Sequence, residues 1–261
     1  MKNEHEWSDQ LEVHLKAGKN IFIATDSKDF SDRMYKQITS KYPNSKIRLY
    51  NVDTDDEFKL KLGNVNDTWT KLNVVIVSPT ILYGVNLSAV HFDYVYGYYQ
   101  TTISARSVYQ QLRRIRYVKT NEVYLHVKNN FTKEIKYYPT DLNELRTYVI
   151  KNRKEFKQVI SSLNHVCDGS IKLDTNDDFT KLYLHFLSER HKCNNNYIGE
   201  LTKYLTEYGG RVFMQVKNKK SSSDYKDKQN ELKDIIDKEH IVSFMEAFKD
   251  ISKYEEVRFK A

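Results

Sequence analysis

The run Val74-Val75-Ile76-Val77 carries no polar residue on either side of its pleat. A strand alternating polar and apolar residues can leave one face to water, but an unbroken apolar one must be covered on both. Asn20-Ile21-Phe22-Ile23-Ala24 is a second compact apolar run. Between the two lie a helical stretch over about 28–41, with Phe30, Met34 and Ile38 at i, i+4 and i+8, and a strand over Lys46 to Tyr50. Thr25-Asp26-Ser27 is a hydroxyl-rich turn suited to start that helix. Thr54-Asp55-Asp56-Glu57 fits a capping box opening another. A short helix over 8–17, ending at Gly18, precedes the series. Strands over Val90 to Tyr99 and Glu122 to Val127 complete it. Buried strands alternating with helices predict an α/β domain with a parallel sheet and helices on both faces.

Beyond about Pro139 the pattern is helical, over Thr140–Leu163, Phe179–His191, Tyr197–Tyr208 and Ile235–Ile251. Lys217–Lys228 is polar around Ser221-Ser222-Ser223 and predicts an exposed loop. The expected division is a sheet domain over 1–135 and a helical accessory region over 140–261, with the loop near 217–228.

No apolar run of the 261 residues approaches the roughly 18 needed for a membrane helix. The N-terminal segment, polar and partly acidic, matches neither a signal nor a transit peptide. Two cysteines, Cys167 and Cys193, make no disulfide framework and favour a reducing compartment, cytoplasmic or nuclear. The net charge of +7 suggests a polyanionic partner. The excess is spread over both halves, but Tyr94 to Asn121 holds five basic residues and no acid.

That window ends in a helix predicted over Ser104–Arg116. At 100° per residue, Val108, Leu112 and Ile115 with Ala105 make an apolar stripe, and Arg106, Gln110, Arg113 and Arg114 face away. Arg116 lies between the two sides, near the helix end. Three arginines in four residues repel unless an anion sits among them, and a guanidinium forks onto phosphate oxygens. A solvated basic face is the plainer alternative. Upstream, Ser78-Pro79-Thr80-Ile81-Leu82-Tyr83-Gly84-Val85-Asn86 follows the third strand, where ligands of open α/β sheets bind. Ser78 and Thr80 offer hydroxyls there. Gly84 permits close backbone approach, and Asn86 can bond backbone and ligand. A plain turn punctuated by Pro and Gly explains the same residues.

Two further features admit both a structural and a functional role. Tyr94, Tyr96, Tyr98 and Tyr99 could stack on bases, although aromatics on a strand more often pack. His165, Cys167, His191 and Cys193 could offer nitrogens and sulfurs to zinc, but their spacing is not that of a finger, and core or surface positions are the default. No metal site is therefore assigned.

Taken together, SPTILYGVNL, HFDYVYGYY and ARSVYQQLRRIR resemble motifs V and VI of superfamily 2 helicases, in the second of their two RecA-like domains. Ser78, Gly84 and Asn86 keep the motif V spacing. Gln110, Arg113, Arg114 and Arg116 match motif VI, with Arg113 where Gly is usual. NIFIATDSKDFSDRMYKQI resembles motif IV of the same domain. The wording is most similar to herpesvirus-type replication origin-binding helicases and their relatives in large DNA viruses, over roughly 15–130. The resemblance implies a RecA-like fold and an ATP site, with Mg²⁺, closed by a first RecA-like domain in the same or another chain. It implies catalytic roles for Arg114, Arg116, Arg113 and Gln110, and nucleotide-side roles for Gly84 and Asn86. Thr25, Ser27, Ser78 and Thr80 would lie along a DNA strand, single-stranded during translocation. It also implies a viral protein acting in a host cell. No G-x-x-x-x-G-K-[ST] occurs, and no apolar strand ends in an acidic box for Mg²⁺. The chain is therefore expected not to hydrolyse ATP alone. The competing expectation is a non-catalytic RecA-like module that holds nucleic acid or a protein.

Overall fold

The computed structural model describes residues 4–79, 85–128, 137–152 and 178–213, with Glu231 and Asp234. Two compact units are distinguished: Met1–Thr102 with Gln110–Lys128 belong to the first, and Ile103–Tyr109 with Asn129–Val212 to the second.

The first unit is built on a five-stranded sheet, β1 (Ile21–Thr25), β2 (Ile47–Tyr50), β3 (Val74–Val77), β4 (Tyr94–Tyr99) and β5 (Val123–Val127), in the order β2-β3-β1-β4-β5. Every pairing is parallel. The three central strands are apolar on both sides because both sides are covered. On one face, α1 (Glu4–Lys16) and α2 (Lys28–Lys41) bring Trp7, Leu11, Phe30, Met34 and Ile38 against Ile21, Ile23, Val74, Ile76, Tyr96 and Tyr98. Gly18, at φ +66°, ends α1 while the Lys19 amide reaches back to the His14 carbonyl. Ser27 caps α2, its hydroxyl accepting from the Phe30 amide.

The second face is covered by the chain between β2 and β3. It forms α3 (Asp56–Leu60), α4 (Val65–Thr68) and short 3-10 turns that deliver Trp69 onto Phe22. Phe92 packs on Phe22 there, and Leu112, the last residue of α5 (Ala105–Leu112), approaches Gly97. The α/β class, the parallel sheet and the two covered faces are as the sequence predicts.

The second unit contains α6 (Leu142–Lys151) and α7 (Asp178–Glu207). Asp141 caps α6 by accepting from the Asn143 and Glu144 amides, and Leu145 and Val149 pack on Leu184 and Leu187. Asn196, at φ −153° and ψ 76°, breaks α7 where two separate helices were predicted. Its side chain accepts from the Gly199 amide and so caps the second segment.

Three expectations change. The helix predicted over Ser104–Arg116 ends at Leu112. Beyond it, the Arg114 carbonyl and the Arg116 amide bond to Leu87 instead of continuing the spiral. The capping box at Thr54–Glu57 does not form: Asp55 makes no side-chain cap, and the Thr54 hydroxyl turns back to accept from the Asn51 amide. The strand expected from Val90 starts at Tyr94, because His91 is held by the Leu72 carbonyl outside the sheet. The four strand tyrosines pack: Tyr96, Tyr98 and Tyr99 are buried, Tyr98 stacks on Phe30 at 3.7 Å, and Tyr94 stacks on His14 at 3.7 Å. His191 and Cys193 are buried, and the His191 ring bonds to the Pro139 carbonyl. His165, Cys167, Lys217–Lys228 and Ile235–Ile251 lie outside the described residues.

Candidate functional site

Strands β1 and β4 are neighbours, yet α2 follows β1 onto one face while Leu112, after β4, lies on the other. In open α/β sheets, ligands bind beyond the carboxyl ends of the strands at such a reversal. Asp26 lies at that point and is only 7% exposed. Its carboxylate accepts from the Gln100 and Thr102 amides, both at 2.8 Å, and its carbonyl accepts from the Thr102 hydroxyl at 3.1 Å. Between those amides Thr101 sits at φ +63°, a conformation that a β-branched residue rarely adopts. The paired bonds on either side hold it there.

Thr25 is fully buried, and its hydroxyl accepts from the Ser27 amide at 3.2 Å. Ser27 is half-buried at the helix cap. Ser78 is buried, with its amide bonded to the Tyr50 carbonyl at 2.9 Å. Thr80 and Gly84 lie outside the described residues, and Asn86 is exposed.

Gln111 ties these strand ends together. It is fully buried. Its amide nitrogen donates to the Ser78 carbonyl at 3.1 Å and to the Thr25 carbonyl at 3.4 Å, and its oxygen accepts from the Tyr99 hydroxyl at 3.0 Å. One side chain thus meets the carboxyl ends of β1, β3 and β4. The arginine turn follows directly. The Arg114 amide bonds the Gln111 carbonyl at 3.2 Å, and Ile115 bridges Leu87 in parallel. Arg114 is half-buried, and its guanidinium donates to the Val85 carbonyl at 3.1 Å and the Asn86 side-chain oxygen at 3.3 Å. Arg113 and Arg116 are exposed, and neither forms an ion pair among the described residues. Gln110 is half-buried beside them in sequence.

Val85, Asn86 and Leu87, in the chain that follows β3, therefore meet the arginine turn. Two polar residues that hold this meeting point were not singled out from sequence. Gln111 lies about 60° from Val108 on a helical wheel, within the apolar stripe, and a polar residue on a buried face is the signal that marks it. Asp26 offered less: its partners lie 74 and 76 residues away. Chemically, the arginine turn offers permanent positive charge to an anion, with the planar fork that fits phosphate oxygens. Among the described residues no group of His, Cys, Asp or Glu is arranged to hold a metal ion. No described helix is long and apolar enough to cross a membrane.

The likeness to known proteins covers most of the chain. A protein of Acanthamoeba polyphaga mimivirus, named as a replication origin-binding protein, is 27% identical over 194 residues, which cover 72% of this chain and 24% of that protein. A protein of African swine fever virus (isolate Pig/Kenya/KEN-50/1950), named as a helicase/primase complex protein, is 25% identical over 218 residues, covering 80% of this chain and 20% of its own length. The chain thus spans about a quarter or less of the curated relatives it matches. Among solved structures, the yeast DEAD-box splicing factor Prp28 aligns at 15% identity with a TM-score of 0.36, over 61% of this chain and 32% of its own, too slight a likeness to bear on function. The family model described as origin of replication binding protein matches residues 1–198, and the chain belongs to that family.

Proposed function

We propose that residues 1–135 are the second motor domain of an ATP-dependent DNA helicase or translocase acting in replication, and that the ATP site is completed by a first RecA-like domain. The observation that carries this is the arginine turn. Arg114 is bonded to the turn at Val85 and Asn86, while Arg113 and Arg116 project into solvent with no acid paired to them among the described residues. Three neighbouring cations held in this way suit an anion supplied from outside the unit. The triphosphate of ATP, with its Mg²⁺, is the anion proposed. In that role the arginines stabilise charge on the transferring phosphate, Gln110 assists in positioning, and Gly84 and Asn86 form the neighbouring wall. The relatives named for helicase/primase and origin-binding functions support this direction.

DNA is the proposed polymer partner, running past the carboxyl ends of β1 and β3. Of the hydroxyl candidates described, Ser27 is the one with exposure, whereas Thr25 and Ser78 are buried and shape the strand ends. Thr80 completes the set. The helical region 140–261 is proposed as an accessory to this motor.

The test mixes this chain with a Walker-containing first domain from a family relative and measures phosphate release with single-stranded DNA. Wild-type chain is expected to raise turnover. Arg114→Ala and Arg116→Ala are expected to lower it by about 10³-fold or more, the range for arginines that reach a transferring phosphate. Turnover that survives the replacement of all three arginines sinks the motor assignment and leaves a binding module.

A further inference from the structure

We infer that Gln111, outside the residues assigned above, is a positioning residue that sets the arginine turn relative to the strand ends; this rests on the function proposed above. The geometry is specific. Carbonyl groups need a donor and the Tyr99 hydroxyl here donates, so the Gln111 amide has one orientation that satisfies Ser78, Thr25 and Tyr99 together. Being fully buried, it has no water to exchange these partners for. Its backbone carbonyl receives the Arg114 amide, and Arg114 and Arg116 then bond Leu87 from both sides of Ile115. A shift of the β1 or β3 end relative to α5 therefore has a route to the arginines through the Gln111 side chain, beside the Leu87 bonds. Ser27 begins just beyond the β1 end, and the Ser78–Asn86 turn just beyond β3. A ligand that moves the β1 end moves the arginine turn through Gln111, which makes this side chain a mechanical link between the strand ends and the cations.

Gln111→Met keeps length and burial but removes every side-chain bond, leaving its backbone carbonyl to the Arg114 amide. Two measurements follow. In the reconstituted pair, kcat is expected to fall by about 10- to 100-fold, the scale of a misplacement of about 1 Å, while the KM for ATP stays within about twofold. In the chain alone, amide hydrogen exchange at Leu87 and Arg116 is expected to rise by about tenfold while β1 and β3 stay protected. Wild-type exchange at Leu87 and Arg116 overturns the inference, as does a kcat equal to wild type in an active pair. An inactive wild-type pair counts against the motor assignment instead, and the exchange measurement then decides the present point by itself. If Gln111→Met loses protection throughout the sheet, Tyr99→Phe replaces it: this removes one of the three partners without touching α5. It is expected to raise exchange at the same two amides by a smaller factor, and no rise there overturns the inference.

Discussion

The two faces of the sheet are both closed, but by different means. On the α1/α2 face, Trp7 meets Phe30, Tyr96 and Tyr98 edge-on at 5.4–5.8 Å, and its indole donates to the Tyr124 carbonyl. His14 sits among Tyr94, Tyr96 and Tyr124, bonded to the Tyr96 hydroxyl. These polar tips have partners inside the core, so the face is specified by direction as well as by area. On the other face, Phe22 and Trp69 pack as tilted rings, and the indole nitrogen of Trp69 has no partner among the described residues. There Gln111 places its buried side-chain bonds at the carboxyl ends of the central strands. One face is built for a fixed core. The other is fixed chiefly where the arginine turn leaves it.

The contrast can be broken in three ways, taken from the largest effect down. Gly97 lies on the second face, where an added Cβ would come within 2.5 Å of a Leu125 methyl, 2.7 Å of the Tyr99 ring and 3.3 Å of a Leu112 methyl. Gly97→Val is expected to cost about 1–3 kcal/mol by overpacking, read from urea unfolding. Because Leu112 immediately precedes Arg113, the same variant should also lower the arginine-dependent turnover proposed for the reconstituted pair; retention of full turnover would separate packing from site geometry. Next, Trp7→Phe and Trp69→Phe remove similar volumes. Only the first strands a carbonyl, so it should be the costlier by about 1 kcal/mol. Equal losses would mean the two faces do not differ as described.

The smallest effect is a pH dependence. Burial lowers the His14 pKa below its ordinary value of 6.5, against the opposing pull of Glu122 and Asp93 and with Lys19 adding to the shift. The donation from Gln10 to Nε2 places the ring proton on Nδ1, toward Tyr96. The unfolded chain then binds the proton first as pH falls through 6.5. The His14 contribution is therefore complete above 6.5 and is lost between 6.5 and the lower folded value. Burial also lowers His191, in the second unit. Urea midpoints followed from pH 8 to 5 should decline below 6.5, and His14→Gln should flatten part of that decline while the part due to His191 remains. An unchanged slope in His14→Gln would remove His14 from the account.

Much of this was legible from residue order. The runs at Ile21–Ala24 and Val74–Val77 are apolar at every position, and a strand with no wet side has few places to go. Gly18 and Ser27 announced the end of one helix and the start of the next through short-range chemistry, and both act as expected. The length of α5 was not legible. A helical wheel extends the pattern through Arg116, but the termination depends on Leu87, whose backbone claims the Arg114 carbonyl and the Arg116 amide. Thr54 misled for a similar reason: Asn51, three residues upstream, was the better partner for its hydroxyl.

The sequence by itself determined a parallel α/β sheet covered on both faces, the order of its motifs, and a run of arginines facing away from an apolar stripe. These depend on periodicity and on neighbours a few residues apart, which composition along the chain records. The tertiary structure alone decided that the arginines leave the helix, that Arg114 meets Val85 and Asn86, and that Gln111 and Asp26 bind the strand ends. Those outcomes rest on hydrogen bonds between groups 12 to 86 residues apart. A buried polar group takes whichever partner the packed chain brings within reach, and that choice exists only after the sheet has formed.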